Sequence, residues 1–465
     1  MRQSFSPSRL APALLAGCAA CGGGGGSGGG TPPASPPNAA AVAAVSTYSS
    51  VLTAIDPATA GFDDLAAFGA AVGDRRVVLL TEPTHGDGAT YLLKTRLVKY
   101  LHESKGFDVL FIESGMYDVT RMQQRLAAGG DSLSVQAPGR VFYMYSRTGA
   151  GQQVLKYVDA TRATATPLAL WGHDIPMAGA DSRENLLPAL RTFLDAQGSP
   201  LPQDADWPGW LRVATQNVAL SAAPVTPADS ASFLSLSPRL ADALCAQTDP
   251  GGDLLQSPAY WCRVVKGVQA DYTHLWSATD SRTPTDLRDV TGAGNIEWAL
   301  DGRLQGHKAI VWLHELHGDD GIAGNASCVA AQSQECGPGW TSVGTELVNH
   351  YGAQVYIAKV TAGSGVFDTY DVASACGAPS AGFPLPAPDA GMLEYYLATG
   401  GQPRFMAWPA DAAGQAAIAP LGVLESEFAL RLPSHFGSGY DGVFYLPALA
   451  PTTTDCTAYP VLDYP

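Results

Sequence analysis

A carboxylate and an imidazole three residues apart stand in Glu82-Pro83-Thr84-His85-Gly86, directly after the apolar run Val77-Val78-Leu79-Leu80. A buried strand that ends in two such groups presents them at the edge of a sheet. A second run, Ala309 to Leu313, ends in His314-Glu315-Leu316-His317. Two strands that each deliver histidine and carboxylate can converge on one polar pocket. The chemistry these residue types support is water activation, because an imidazole held by a carboxylate has the tautomer and basicity to take a proton from water. His85 is the candidate general base, and Glu82 or Glu113 its orienting partner. The structural alternatives are a helix cap for Glu82, an N-terminal hydroxyl bond for Thr84 and a packed core position for His85.

Two other chemistries are weighed against this one. A serine nucleophile finds little support, since no Gly-x-Ser-x-Gly elbow occurs and Ser114-Gly115 is a weak substitute. A divalent metal is the stronger rival: Glu82, His85, His314 and His317 are groups that bind zinc and would make hydroxide available. The zincin helix, however, separates its histidines by three residues, whereas His314 and His317 are separated by two. Lys94 in the same pocket would repel a cation. The expectation is a site without cofactor, with metal dependence as the alternative. His173, Asp174, Arg288 and Asn295 are expected to support the pocket, and His102, His274, His307, His350 and His435 to serve surface or packing roles.

Positioning these groups requires alternating strands and helices. Val77–Thr81, Val109–Glu113 and Leu168–Trp171 read as strands, with an amphipathic helix over Thr90–His102. Residues of about 182–304 hold helix-like stretches broken by Pro200, Pro202, Pro224, Pro227 and Pro238, which predicts a helical insertion or lid. Strands resume at Ala309–Leu313, Gln354–Val360, Phe405–Trp408 and Gly442–Tyr445, with a helix over Thr341–Tyr351. The expected fold class is α/β: a mixed or mostly parallel central sheet flanked by helices, in one large domain over 48–465.

The first residues are set apart from that domain. Arg2 and Arg9 form a basic region, Leu10 to Leu15 a short apolar one, and Leu15-Ala16-Gly17-Cys18 reads as a lipobox. Residues 1–18 are then a lipoprotein signal, and Cys18 is the residue that carries lipid. Ala19, in place of aspartate, resembles lipoproteins passed to the bacterial outer membrane, facing the periplasm. Residues 19–47 are rich in glycine, then proline and alanine, and are expected to be a flexible spacer. No later stretch is apolar and long enough to span a bilayer.

The formal charge of −16 makes nucleic acid and anionic membrane surfaces poor partners, leaving the N-terminal lipid as the expected membrane contact. Cysteines 245, 262, 328, 336, 376 and 456 are even in number and contain no CxxC pair, which in an exported chain favours disulfides. The preferred pairing is 245 with 262, 328 with 336 and 376 with 456, the last by elimination; fifteen pairings are formally open.

Glu82-x-Thr84-His85-Gly86, the helix after it, and Gly106-Phe107 leading to Glu113 resemble the opening of the erythromycin esterase family. Gly172-x-Asp174, Arg288-Asp289 with Asn295, and Val311-Trp312-x-His314-x-x-His317 are similar to its later blocks in the same order. So are Val343-Gly344, Tyr351-Gly352 and Tyr440-Asp441-Gly442-Val443, so that the resemblance spans roughly residues 48 to 450. It implies a hydrolase that opens the lactone ester of macrolide antibiotics, and hence a role in antibiotic resistance with a small-molecule ester or lactone as substrate. On that reading His314 or His317 protonates the leaving alkoxide or, with Lys94, steadies the oxyanion. Two departures stand out. Lys94 occupies a usual arginine position and lacks the planar fork that grips a carboxylate at two points, and Glu315 replaces asparagine, adding a negative charge beside the pocket. The competing function class is a non-enzymatic binding lipoprotein whose acidic cleft holds a cationic amphiphile.

Overall fold

The computed structural model describes residues 37–453 apart from 177–178, 220, 222–224, 273–283, 321–340, 368–382, 426–429 and 434–435. Twelve strands run in chain order: β1 Ser49–Val51, β2 Val77–Glu82, β3 Val109–Gly115, β4 Ala169–Asp174, β5 Ala309–His314, β6 Val355–Ala362, β7 Val366–Phe367, β8 Phe383–Pro384, β9 Arg404–Ala407, β10 Gly422–Glu425, β11 Leu430–Pro433 and β12 Gly442–Leu446. Eight of them form one sheet in the order β1-β9-β12-β6-β2-β5-β3-β4. The six strands from β12 to β4 are mutually parallel, and β9 and β1 close one side antiparallel. The pairs β7–β8 and β10–β11 are separate ribbons.

The central strands are continuous apolar runs because both their faces are covered, as a parallel sheet requires. Val78, Leu80, Leu110, Ile112, Ile310 and Trp312 pack to one face, where α2 (Ala66–Val72), α3 (Gly88–Lys105) and α7 (Gln152–Thr161) lie. Val77, Leu79, Val109, Phe111, Val311 and Leu313 alternate to the other, against α1 (Ala39–Tyr48), α12 (Pro284–Trp298) and the helix Val343–Tyr351. Between α3 and α7 come α4 (Met116–Ala127) and the short α5 (Leu133–Gln136) and α6 (Tyr143–Ser146). The expected insertion is helical throughout its described residues: α8 Leu187–Ala196, α9 Trp207–Val218, α10 Pro227–Cys245 and α11 Pro258–Tyr272 precede α12. It has its own core of Trp207, Trp210, Phe233, Leu240, Tyr260 and Trp261, seated on Met116 and Tyr117 of α4. A disulfide joins Cys245 to Cys262, as paired from the sequence. Cys328, Cys336, Cys376 and Cys456 lie outside the described residues, as do the signal with its lipobox and Cys18, and residues 19–36 of the spacer.

Three expectations are corrected. Residues 39–47, assigned to the spacer, form α1: the Asn38 side chain accepts from the Ala40 and Ala41 N–H groups, and Ala41, Ala44 and Val45 are buried. Composition weighed the lack of large apolar side chains, yet alanine is the best helix former and its small size permits close packing. Pro238 does not break a helix but sits inside α10, where burial of Phe233, Leu236, Leu240 and Leu244 outweighs the ~3 kcal/mol cost of an interior proline. Strands β1, β7, β8, β10 and β11, two to four residues each, are not expected from the sequence.

Candidate active site

From β2 the chain crosses β5 to β3 and β4, whereas after β5 it continues to β6 and β12 on the other side. The carboxyl ends of β2, β5, β3 and β4 therefore flank the point where the winding reverses, the usual place for a ligand in an open α/β sheet. Those four ends carry Glu82, His314, Glu113 and Asp174. Glu82 and His314 are direct partners across neighbouring parallel strands. The β3–β4 register slips between Ile112 and Gly115, which takes Glu113 and Ser114 out of the ladder; such a bulge re-aims a side chain. Glycine is needed opposite it, because a Cβ at position 172 would lie 2.7 Å from the carbonyl oxygens of both Ser114 and Gly115.

Around Glu82 three donors converge. His85 Nδ1 lies 2.9 Å from Oε1, the Tyr145 hydroxyl donates to the same oxygen at 2.8 Å, and the Lys94 ammonium bonds Oε2. Glu82 is fully buried; burial would raise its pKa, but Lys94 and His85 outweigh it and hold the carboxyl below its usual range. Facing an ionised carboxylate, His85 Nδ1 must carry the proton, which makes Nε2 the basic nitrogen. Lys94 is also fully buried, 3.3 Å from the Leu313 carbonyl oxygen and 4.2 Å from the centre of the Trp312 ring. Burial lowers its pKa to about 8 against the pull of Glu82. The lysine grips one carboxylate oxygen rather than two, as its departure from arginine predicted, and it is committed to Glu82 rather than to an oxyanion.

A second group lies beside the first. Glu113 accepts from the His314 backbone N–H at 2.9 Å and from Arg288 at 3.0 Å, with Tyr145 at 3.3 Å. Burial would raise its pKa, but His317, His85, Arg288 and His314 pull it well below the ordinary range. Arg288 reaches Asp174 at 2.5 and 3.0 Å, the two-point grip of a guanidinium. His317 Nδ1 lies 2.8 Å from Asp289 and its Nε2 3.1 Å from Arg288 Nη1. Those contacts conflict: an Arg288 N–H aimed at Nε2 suits a neutral ring, whereas Asp289 and Glu113 favour a charged one. Burial and Arg288 lower the His317 pKa, but the two carboxylates prevail and hold it at about 9, so the charged ring is the form we adopt. His314 accepts the Leu316 N–H on Nδ1 at 3.2 Å, which puts its proton on Nε2, and its ring centre is 4.7 Å from that of His85.

The structure thus gathers Glu82, His85, Lys94, Glu113, His314, His317, Asp174 and Arg288 as expected. Glu82 does not cap α3; Asp87 does, accepting from the Ala89 and Thr90 N–H groups. The Thr84 hydroxyl accepts the Gly86 N–H at 3.4 Å, a bond that precedes the helix start at Gly88 instead of the expected one at its N-terminus. Asn295 stands one step back, bonding the His173 carbonyl oxygen at 2.8 Å and Arg263 at 2.7 Å. His173 is buried and neutral, its pKa lowered to about 4 by burial. Glu315 lies 3.2 Å from buried Lys359, which also bonds Asp319 at 3.1 Å, so one lysine is shared by two carboxylates. The Ser114 hydroxyl donates to the Glu113 carbonyl oxygen at 2.7 Å and accepts the Phe142 N–H at 2.9 Å, which ties β3 to the segment before α6. Sequence reasoning missed Tyr145, which nothing in Tyr143-Met144-Tyr145 distinguishes from its neighbours, and gave no role to Asp289. Among the described residues, no three or more His, Cys, Asp and Glu side chains form a group that could hold a metal ion.

With this geometry in view, comparisons with known proteins are informative. Residues 102–448, about three quarters of the chain, match the family described as erythromycin esterase; the Glu82–Lys94 block precedes that span. A Bacillus subtilis (strain 168) protein named "Putative hydrolase YbfO" is 31% identical over 122 residues, 26% of this chain and 26% of the relative's own length. A Bacillus cereus crystal structure aligns with a TM-score of 0.69 at 17% identity, covering 89% of this chain and 98% of that one. A succinoglycan biosynthesis protein aligns at 0.65 and 17% over the same shares. A histidine-to-asparagine mutant of the erythromycin esterase EreC, in its open conformation, aligns at 0.64 and 16%, covering 86% of this chain and 97% of that one. The solved structures share the fold, and the extent of the sequence match places the chain in the erythromycin esterase family.

Proposed function

We propose that this protein hydrolyses an ester or lactone with a water molecule activated by His85. The observation that carries the reading is the 2.9 Å contact between His85 Nδ1 and buried Glu82, which sets the tautomer a general base needs. As the water oxygen bonds to the acyl carbon, its proton passes to His85 Nε2. The acyl C–O bond then breaks, and the departing alkoxide takes a proton from His317, which Asp289 keeps charged. His314, protonated on Nε2, is the donor assigned to the oxygen that gains charge. Lys94 acts through Glu82. No cofactor enters this scheme. Family membership supports it, and erythromycin, which the name of the EreC neighbour carries, is the first substrate to offer.

The protein should return a product heavier by one water from at least one member of a panel of esters and lactones read by mass spectrometry. His85→Ala should lower kcat by on the order of 10² to 10⁴ with KM little changed. Glu82→Gln should fall in the same range and add little to it, since the two act as one unit. Chelator treatment should leave turnover intact. Full activity of His85→Ala with native circular dichroism sinks the assignment, and bound but unaltered ligand throughout the panel favours the binding lipoprotein.

A further inference from the structure

The Tyr145 hydroxyl lies between the two groups of the site. It lies 2.8 Å from Glu82 Oε1, 3.3 Å from Glu113 Oε2 and 3.5 Å from His85 Nδ1. The residue comes from α6, outside the four strand ends that supply Glu82, Glu113, Asp174 and His314. Its ring is fully buried, with centres of Phe142, Tyr91 and Trp312 at 5.1, 5.5 and 5.9 Å. Packed this way, the side chain retains only the O–H torsion as an easy motion. Burial and the adjoining carboxylates push its pKa far up, so the hydroxyl keeps its proton and serves as a donor.

Resting on the general-base reading of His85, we propose that Tyr145 is a positioning residue: by donating to the same Glu82 oxygen that accepts the His85 Nδ1–H, it sets how strongly Glu82 holds the imidazole. A carboxylate oxygen that accepts two hydrogen bonds divides its charge between them. Without the hydroxyl, Glu82 Oε1 would hold the His85 N–H more tightly, and the imidazole would give up its proton less readily. A base that retains its proton is idle, so the hydroxyl tunes His85 toward the unprotonated form. The 3.3 Å approach to Glu113 ties the same hydroxyl to the Arg288–His317 side, giving the two halves one shared donor.

Histidine labelled at Cε1 in the full chain, followed by NMR through a pH titration, tests this without substrate; the His85 signal is identified by its loss in His85→Ala. In Tyr145→Phe the His85 midpoint should rise by roughly one unit, a tenfold change in proton affinity. In a Glu82→Gln background the same substitution should move it far less, because the path through Glu82 is gone. Installing 2,3-difluorotyrosine at position 145 keeps the ring and strengthens the donor, so the midpoint should fall; this arm stands should the phenylalanine variant fail to fold. An unmoved midpoint in the variants that fold, or an equal shift with and without Glu82, overturns the proposal. Turnover of His85→Ala separately decides the general-base reading, so the two failures are distinct.

Discussion

His317 is held between opposed influences, and its charge decides what it can donate. With Asp289 at 2.8 Å its pKa stands at about 9 in the folded protein, against 6.5 as its ordinary value. The folded state therefore binds the proton more tightly than the unfolded chain. That contribution to stability is fully present below pH 6.5 and lost as pH rises through 9. The melting-temperature gap between wild type and His317→Gln should accordingly be larger at pH 6 than at pH 10. Lys94 works in the opposite sense, since burial lowers its pKa to about 8, but it is common to both proteins and cancels in the difference. A gap independent of pH would mean that the Arg288 contact keeps the ring neutral, and His317 would then lose its role as the acid.

At the scale of elements, strand ends supply the charges and the covered sheet faces hold them still. Helix α3 is anchored at its start by Asp87, which also accepts the Ala450 N–H at 2.7 Å, so the helix carrying Lys94 is tied to the C-terminal segment. The insertion is tied differently, by the Cys245–Cys262 bond between α10 and α11 over a separation of 17 residues. Closing a loop of that size is worth about 3 kcal/mol in the chain-entropy account. Replacing both cysteines with alanine should lower the melting temperature and speed proteolytic cutting between residues 246 and 257, measured beside wild type under non-reducing conditions. Unchanged cutting and melting would show that the insertion core, Trp210 and Trp261 included, suffices without the bond.

For the whole molecule, the question is attachment to a membrane. No helix among the described residues is long and apolar enough to cross a membrane. We propose attachment by lipid on Cys18, at the outer membrane facing the periplasm. Metabolic labelling with an alkyne fatty acid should mark the wild type and not Cys18→Ser, whose protein should collect in soluble or unprocessed form, because two or three acyl chains hold far more firmly than one. Equal labelling of both would remove the anchor from the account.

Local chemistry and period determined much of this protein. Seven strands of the main sheet were readable because apolar runs mark strands covered on both faces, and the groups following those runs had to emerge at one sheet edge. That placed Glu82, His85, Glu113, His314 and Asp174 together without knowledge of strand order. The Cys245–Cys262 pair was legible for a related reason, its short separation making closure easy. What the sequence left open depends on contacts between residues distant along the chain. Tyr145 gains significance only because its hydroxyl reaches Glu82 of β2 and Glu113 of β3, and Lys359 meets Glu315 and Asp319 only because β6 lies in the same sheet as β5. The β3–β4 slip that re-aims Glu113 and the burial that carries α10 through Pro238 arise in the same way. Each is a balance of desolvation, charge and packing, set by neighbours that only the tertiary fold brings within reach.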